Sequence, residues 1–346
     1  MILRRVIPQP TRDASFGALL QAFFVAGVAT VLIIRTQLWL TNYPQLGGGG
    51  LHIAHLLYGG IFMALAIGLL LVLLNRSIKT PAAIVGGVGF GFFIDELGKF
   101  ITSDNNYFYK PAAALIYLVF VGIFLLIRML ERRRGLTPEE SLANAIALLS
   151  SAATGDLDER GRAQALALLD HAGHSDPFVA ETRGLLAQVD ALPSRPPTRL
   201  DRAAAAVRAR YLELVERFPN AVCWVIGAWG VLWLLGSVEL VASVVTQRGG
   251  DELSDLSFVN WATLASSSVS GVLVWVGIRR LLGGDRPGAY RLFERALLVA
   301  IFVTSVFSFV ESQFGAVFGL AVDVLLLFTL NRIAAGERSE RLAPAR

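Results

Sequence analysis

The sequence predicts an all-α fold: a polytopic membrane helical bundle of about eight spans that carries one small cytoplasmic helical domain. Three observations predict it. The 346 residues are 54% hydrophobic and only 17% charged, where soluble domains carry about 25% charged residues. Apolar runs recur that approach the roughly 20 residues needed to cross the hydrocarbon core. Basic residues gather on alternate connections between those runs, which is how Lys and Arg set the orientation of a membrane protein.

Taken in order, the expected spans are Phe16–Leu40, Leu51–Leu74, Ala82–Ile101, Pro111–Met129, Ala221–Val245, Phe258–Leu282, Leu292–Val310 and Phe314–Ile333. The first follows Arg4 and Arg5 but exceeds the length of a signal-peptide core and precedes no small-residue cleavage site, so it reads as a retained span. Arg4, Arg5 and Arg12 precede it; Arg76 and Lys79 join the second span to the third. Arg128, Arg132, Arg133 and Arg134 follow the fourth, Arg279 and Arg280 end the sixth, and Arg332, Arg338 and Arg341 follow the eighth. The intervening connections are Gly-rich, short or acidic: Gly47–Gly50, Asp104–Tyr109, Asp251–Asp255 and Glu311–Gly315. Both termini and the Glu131–Asn220 segment are therefore expected in the cytoplasm of a cell-membrane protein. The net charge of +4 is accounted for by this topology, and no nucleic-acid partner is expected. The lone Cys223 excludes an intramolecular disulfide.

The chain divides into a first membrane half (1–130), a cytoplasmic helical domain (131–218) and a second membrane half with a short tail (219–346). In the domain, Thr137-Pro138-Glu139-Glu140 is a capping box with Pro in the first turn. A second helix is expected over Leu157–Ala172, stopped by Gly173, and Asp176-Pro177 opens a third. A Pro-rich joint at Leu192–Thr198 leads to an amphipathic helix over Arg199–Phe218. The glycine patterns of nucleotide sites do not occur. Phe93-Ile94-Asp95-Glu96 resembles Phe309-Val310-Glu311-Ser312, as two parallel four-helix repeats would produce and as chance also would.

Ionisable residues at mid-bilayer cost about 2.5–3.5 kcal/mol each on insertion scales, which makes them functional candidates. His52, His55, Asp95, Glu96, Lys99 and Arg35 all fall in the outer leaflet or its interface under this topology. His52 and His55 share a helix face. Gly87, Gly91 and Asp95 continue one stripe, so Asp95 is expected against a neighbouring helix. If that neighbour is the second span, two imidazoles meet a carboxylate pair. Such a set could ligate a divalent metal such as zinc or iron, or relay protons. The plain alternative is structural ion pairing of Asp95 and Glu96 with Lys99 and Arg35. His171 and His174, with Asp170 and Asp176, read as a helix end and the next helix start.

In the second half, Glu239, Glu311 and Asp323 are the membrane acids, with Asp323 nearest mid-bilayer. Ser305, Ser308 and Ser312, and the Ser266–Ser270 cluster, point to helix packing first and a polar passage second. HExxH, GxSxG, SxxK and CxxC are all missing, so metalloprotease, lipase and thiol-redox chemistry lack their signatures.

Gly47-Gly48-Gly49-Gly50-Leu51-His52-Ile53-Ala54-His55, Phe92-Phe93-Ile94-Asp95-Glu96-Leu97-Gly98-Lys99-Phe100 and Asp104-Asn105-Asn106-Tyr107-Phe108-Tyr109-Lys110-Pro111 resemble a group of uncharacterised bacterial multi-pass membrane proteins, mainly over the first four spans. The resemblance implies the class and no substrate, cofactor or reaction. Three functions stay open, and whether any is enzymatic stays open with them. The first is cation, proton or small-solute handling through the outer His/carboxylate cluster, with Asp95, Glu96, Lys99, Arg35, Glu239, Glu311 and Asp323 along the pathway. The second is a membrane-embedded metalloenzyme acting on a lipid-type substrate, with His52, His55, Asp95 and Glu96 as ligands or acid/base groups. The third is a non-catalytic scaffold or sensor whose cytoplasmic domain binds a protein partner. Membrane lipid is the partner expected in every case.

Overall fold

The structure, a computed structural model, describes residues 10–41, 55–97, 101, 111–132, 135–173, 176–189, 192, 198–247 and 258–342. The described residues are helical, apart from turns and one isolated bridge between Asp158 and Leu192. The helices are α1 (Phe16–Leu40), α2 (His55–Val72), α3 (Lys79–Asp95), α4 (Pro111–Arg132), α5 (Pro138–Ala153), α6 (Glu159–Ala172), α7 (Pro177–Gln188), α8 (Arg199–Arg217), α9 (Pro219–Gln247), α10 (Phe258–Leu282), α11 (Arg286–Val299), α12 (Ser305–Ser312) and α13 (Ala316–Leu342). A π-helical turn, Ala300–Thr304, joins α11 to α12 in one rod.

Among the described residues, six helices are long and apolar enough to cross a membrane: Phe16–Leu38, Arg76–Asp95, Pro111–Glu131, Phe258–Leu282, Arg286–Ser312 and Ala316–Ala335. The remaining two expected spans take other forms. Helix α2 is a shorter apolar helix, and residues 51–54, with which that span was expected to begin, lie outside the described residues. Helix α9 belongs to a pair with α8, bent by 92°. The rod α11–α12 begins six residues before the expected Leu292. Its start is set by polar signals that hydropathy passes over. Asp285 caps the helix by accepting the Gly288 amide at 2.9 Å, Pro287 occupies the first turn, and Gly284 turns the chain at φ +85°.

The chain forms two compact units, residues 1–97 with 120–196, and residues 98–119 with 197–346. In the first unit α3 packs against both α1 and α2. Glycines set the approach. A Cβ on Gly87 would stand 2.2 Å from the Phe23 carbonyl oxygen of α1, and one on Gly91 would stand 2.6 Å from Thr30 Cβ. On the other side of α3, a Cβ on Gly89 would meet the Gly59 carbonyl of α2 at 2.7 Å. Close backbone approach of this kind is what small residues permit between apolar helices. Phe24 and Phe90 then pack edge-on against Phe120 of α4.

Helices α5, α6 and α7 enclose their own small core of Ala145, Leu148, Leu157, Ala165, Leu169, Val179 and Leu186. The capping box forms as the sequence predicts. The Glu140 amide donates to Thr137 Oγ1 (3.2 Å), and the Thr137 amide donates to Glu140 Oε2 (2.9 Å). The same carboxylate takes Arg12, with Nε at 2.9 Å from Oε1 and Nη2 at 2.7 Å from Oε2. Asn144 receives the Ala14 amide at 2.7 Å and donates to the Arg12 carbonyl at 2.8 Å. Lys79 Nζ reaches Asp13 at 2.5 Å, and the Ser77 amide donates to Asp156 at 2.8 Å. The Arg12, Ala14 and Ser77 contacts hold α5–α7 onto the segments that open α1 and α3, and the Lys79–Asp13 pair ties those two segments together.

In the second unit the buried core joins Cys223 and Ile226 of α9, Val274 of α10, Phe293 and Leu297 of α11 and Leu330 of α13. Phe293 is fully buried against Gly277, where a Cβ would stand 2.6 Å from the ring.

Candidate functional site

Two buried aspartates mark the polar interior of the two units. In the first unit, the glycine stripe Gly87–Gly91 faces α1, so Asp95 at the end of that stripe meets α1 as well. Arg35 Nε donates to Asp95 Oδ1 at 2.6 Å and its Nη2 to the Asp95 carbonyl at 2.8 Å. The Asp95 side chain is fully buried and that of Arg35 is 11% exposed. The guanidinium thus supplies both the countercharge and two hydrogen bonds, the condition under which a buried ion pair is tolerated. Glu96, beside it, is buried.

Of the other residues expected in this cluster, His52 and Lys99 lie outside the described residues, as does the side chain of His55, which opens α2. Among the described residues no group of three or more His, Cys, Asp or Glu is arranged to hold a metal ion. His171 ends α6 and its Nε2 lies 3.0 Å from the Leu136 carbonyl oxygen. Asp176 caps α7 by accepting the Phe178 amide at 2.9 Å. His174 lies outside the described residues.

In the second unit the acids separate. Glu239 is exposed on α9, Glu311 is half-buried near the end of α12, and Asp323 of α13 is fully buried. The indole Nε1–H of Trp229 donates to Asp323 Oδ1 at 2.8 Å. Asp323 Oδ2 has no hydrogen-bond partner among the described residues, and neither has the buried Thr304 Oγ1. Both residues line one cavity of about 20 Å³, together with Trp229, Trp233, Ser267 and Ser270. That volume holds about one water molecule, and the two unpartnered oxygens are the polar partners such a water needs.

The π turn accounts for the Thr304 hydroxyl having no partner among the described residues. In a regular helix a Thr hydroxyl commonly bonds a carbonyl one turn back, as Thr329 does to Leu325 at 2.6 Å. Here the turn is widened, and Ser305 Oγ takes the Ala300 carbonyl instead, at 3.0 Å. The Ile301 carbonyl accepts the Tyr117 hydroxyl of α4, whose ring stacks on Phe309 at 4.8 Å. Inserted π turns of this kind recur at functional sites. The remaining serines satisfy themselves: Ser308 bonds the Thr304 carbonyl at 3.1 Å, Ser312 the Ser308 carbonyl at 2.8 Å, and Ser270 the Ala296 carbonyl at 3.2 Å. Helix packing accounts for these hydroxyls.

Asp323 was a sequence candidate; Trp229, Thr304 and Tyr117 were not. Trp229 and Trp233 stand at i, i+4 on an apolar helix, a spacing that puts both indoles on one face. Because a buried indole N–H usually finds a partner, that pair was the available signal. The π turn has no local signature that the sequence shows. No family model, curated protein or solved structure matches this chain.

Proposed function

We propose that the chain is a multi-pass membrane protein that handles protons, with Asp323 as the proton-carrying group. One observation carries the reading: a fully buried carboxylate whose second oxygen lacks a partner among the described residues, beside a cavity sized for one water. An isolated ionised carboxylate is expensive in apolar surroundings, and a single neutral indole offsets little of that cost. The group therefore exchanges its charge with a proton instead of keeping it. Trp229 holds Oδ1 and fixes the rotamer. A water bridging Thr304 Oγ1 and Asp323 Oδ2 would accept the incoming proton as it passes one of its own to Oδ2, leaving a neutral water and a neutral carboxyl, and the tryptophans exclude bulk water from the exchange.

The membrane reading rests on the six long apolar helices and on what they present outward. Leu57, Ile61, Leu65 and Leu71 of α2 are half or more exposed, as are Val231, Leu232 and Leu235 of α9, whereas soluble monomers rarely show large contiguous apolar patches. The alternation of basic connections favours both termini in the cytoplasm. The Arg35–Asp95 pair is already neutralised, so the outer cluster is given a structural role in this proposal.

Proteoliposomes with a trapped pH-sensitive dye supply the test. Wild-type protein is expected to dissipate an imposed pH gradient and Asp323→Asn to abolish that flux while remaining folded. Equal flux in the two proteins would overturn the assignment of Asp323.

A further inference from the structure

Helix α8 has a face that nothing among the described residues covers. Val207, Tyr211, Leu214 and Phe218 recur at helical spacing and form one apolar stripe. Only an edge of it is used internally: Val215 is buried in the core of the second unit, Tyr211 packs against that core, and its hydroxyl bonds Thr329. Those contacts fix the helix's rotation and leave Val207, Leu214 and Phe218 at 70%, 61% and 51% exposure. Arg208 borders the stripe on one side, Arg210 and Arg217 on the other, all exposed. The Arg217 guanidinium lies over the Phe218 ring, 5.7 Å from its centroid.

The surroundings say what covers this face. Helix α8 meets α9 at 92°, so if α9 crosses the bilayer α8 lies along its surface. Beyond the bend, Trp224 and Val225 of α9 are also half-exposed, so exposed apolar side chains stand on both sides of it. The same end of the unit carries Arg279 over the exposed Trp275 ring at 5.0 Å, an aromatic and a cation at the level where membrane proteins place both. It is the same end because Arg286, across the short turn from α10, bonds Asn220 at the start of α9 at 3.2 Å.

We propose that α8 lies in the headgroup layer and binds anionic phospholipid, with Arg208, Arg210 and Arg217 on the headgroups and Val207, Leu214 and Phe218 in the acyl boundary. Guanidinium groups pair well with phosphate, arginine stems reach past an immersed apolar face to the surface, and amphipathic helices with this arrangement bind anionic interfaces. The inference rests on the membrane reading given above and is independent of Asp323.

The experiment uses the full chain in nanodiscs of phosphatidylcholine, with and without phosphatidylglycerol. Spin labels are placed at Val207→Cys, at Arg202→Cys on the opposite face, and at Leu71→Cys on α2 as a control; Cys223 is buried and stays in place. Relaxation by oxygen against a water-soluble nickel chelate reads immersion. Position 207 is expected to be immersed and 202 wet. Native mass spectrometry is expected to show preferential retention of phosphatidylglycerol. The triple variant Arg208→Gln/Arg210→Gln/Arg217→Gln should lose that preference, by roughly fivefold for each arginine at the charged surface. A wet 207 beside an immersed 71 overturns the proposal alone and indicates a soluble partner or none. A wet 71 overturns the membrane reading with it. An immersed 207 with a lipid preference that the triple variant retains overturns the headgroup assignment.

Discussion

Asp95 and Asp323 are the same residue, each with no exposed surface, each on a helix long and apolar enough to cross a membrane. They differ in what stands opposite. Asp95 faces a guanidinium at 2.6 Å that also grips its backbone carbonyl; Asp323 faces an indole at 2.8 Å and a small cavity. A fixed cation makes the first carboxylate a permanent part of the packing. Without one, the second has only a neutral donor opposite it among the described residues. Burial is therefore common to both acids; the group opposite is what separates them, and the proton-carrying role proposed for Asp323 rests on that difference.

The comparison can be broken at several places, with effects of very different size. Removing the cation is the most severe. Arg35→Leu takes the guanidinium away from the buried Asp95 carboxylate, and the expected loss is about 3–5 kcal/mol, read as thermal unfolding in detergent. Arg35→Leu/Asp95→Leu should recover most of it, because two apolar groups replace a pair instead of orphaning one member. An equally unstable double variant would show that the helices depend on the ion pair itself.

Next in size is Trp229→Phe, which takes the donor from Asp323 Oδ1 and leaves a second unpartnered oxygen. A cost of about 1–3 kcal/mol is expected, together with a changed pH dependence of any proton flux. Smaller still is the thermal effect of Asp323→Asn. The amide oxygen can keep the indole bond and no charge is lost, so a shift below about 1 kcal/mol accompanies the loss of flux in proteoliposomes. Strong destabilisation by this variant would mean that the carboxylate is structural, as Asp95 is, and the contrast would collapse.

The gentlest probe lies at the polar seam of the first unit. Hydrogen bonding from Arg12 holds the Glu140 carboxyl down at about 2. Burial pushes the Asp13 carboxyl up, but hydrogen bonds from Lys79 and Ser15 outweigh it and hold that group at about 2 as well. Both folded values lie below the unfolded ones near 4. The contribution of these groups is therefore complete above about pH 4 and disappears as pH falls towards 2. Amide protection in α5–α7, measured relative to the intrinsic exchange rate at each pH, should be high at neutral pH and fall progressively below about pH 4. Glu140→Gln should flatten part of that dependence, and an unchanged profile would remove Glu140 from the seam.

What was legible in the sequence was local. Six of the apolar segments, the Thr137 capping box and the Asp176 cap each depend on neighbours a few residues away, and among the described residues each forms a long apolar helix or caps a helix. The glycine stripe ending at Asp95 announced a close helix neighbour, and Arg35 was already a candidate partner. Which helix the stripe faces depends on the order of helices in space, and spacing along α3 does not encode that order. Trp229 and Asp323 lie 94 residues apart, Arg12 and Glu140 lie 128 apart, and neither pairing leaves a mark on the segments between. The π turn was illegible for a different reason: Ala300–Thr304 is as apolar as any regular turn of a span, and its widening shows only in the bonding of Thr304 and Ser305.

The contact between α1 and α3 carries a consequence for inheritance. A β-carbon at Gly87 would fall 2.2 Å from a main-chain oxygen, and one at Gly91 would fall 2.6 Å from Thr30. Every coding change away from glycine brings that atom, whatever follows it. These two codons are thus expected to drift only among their synonyms, while the outward leucines of α2 exchange freely with other apolar residues.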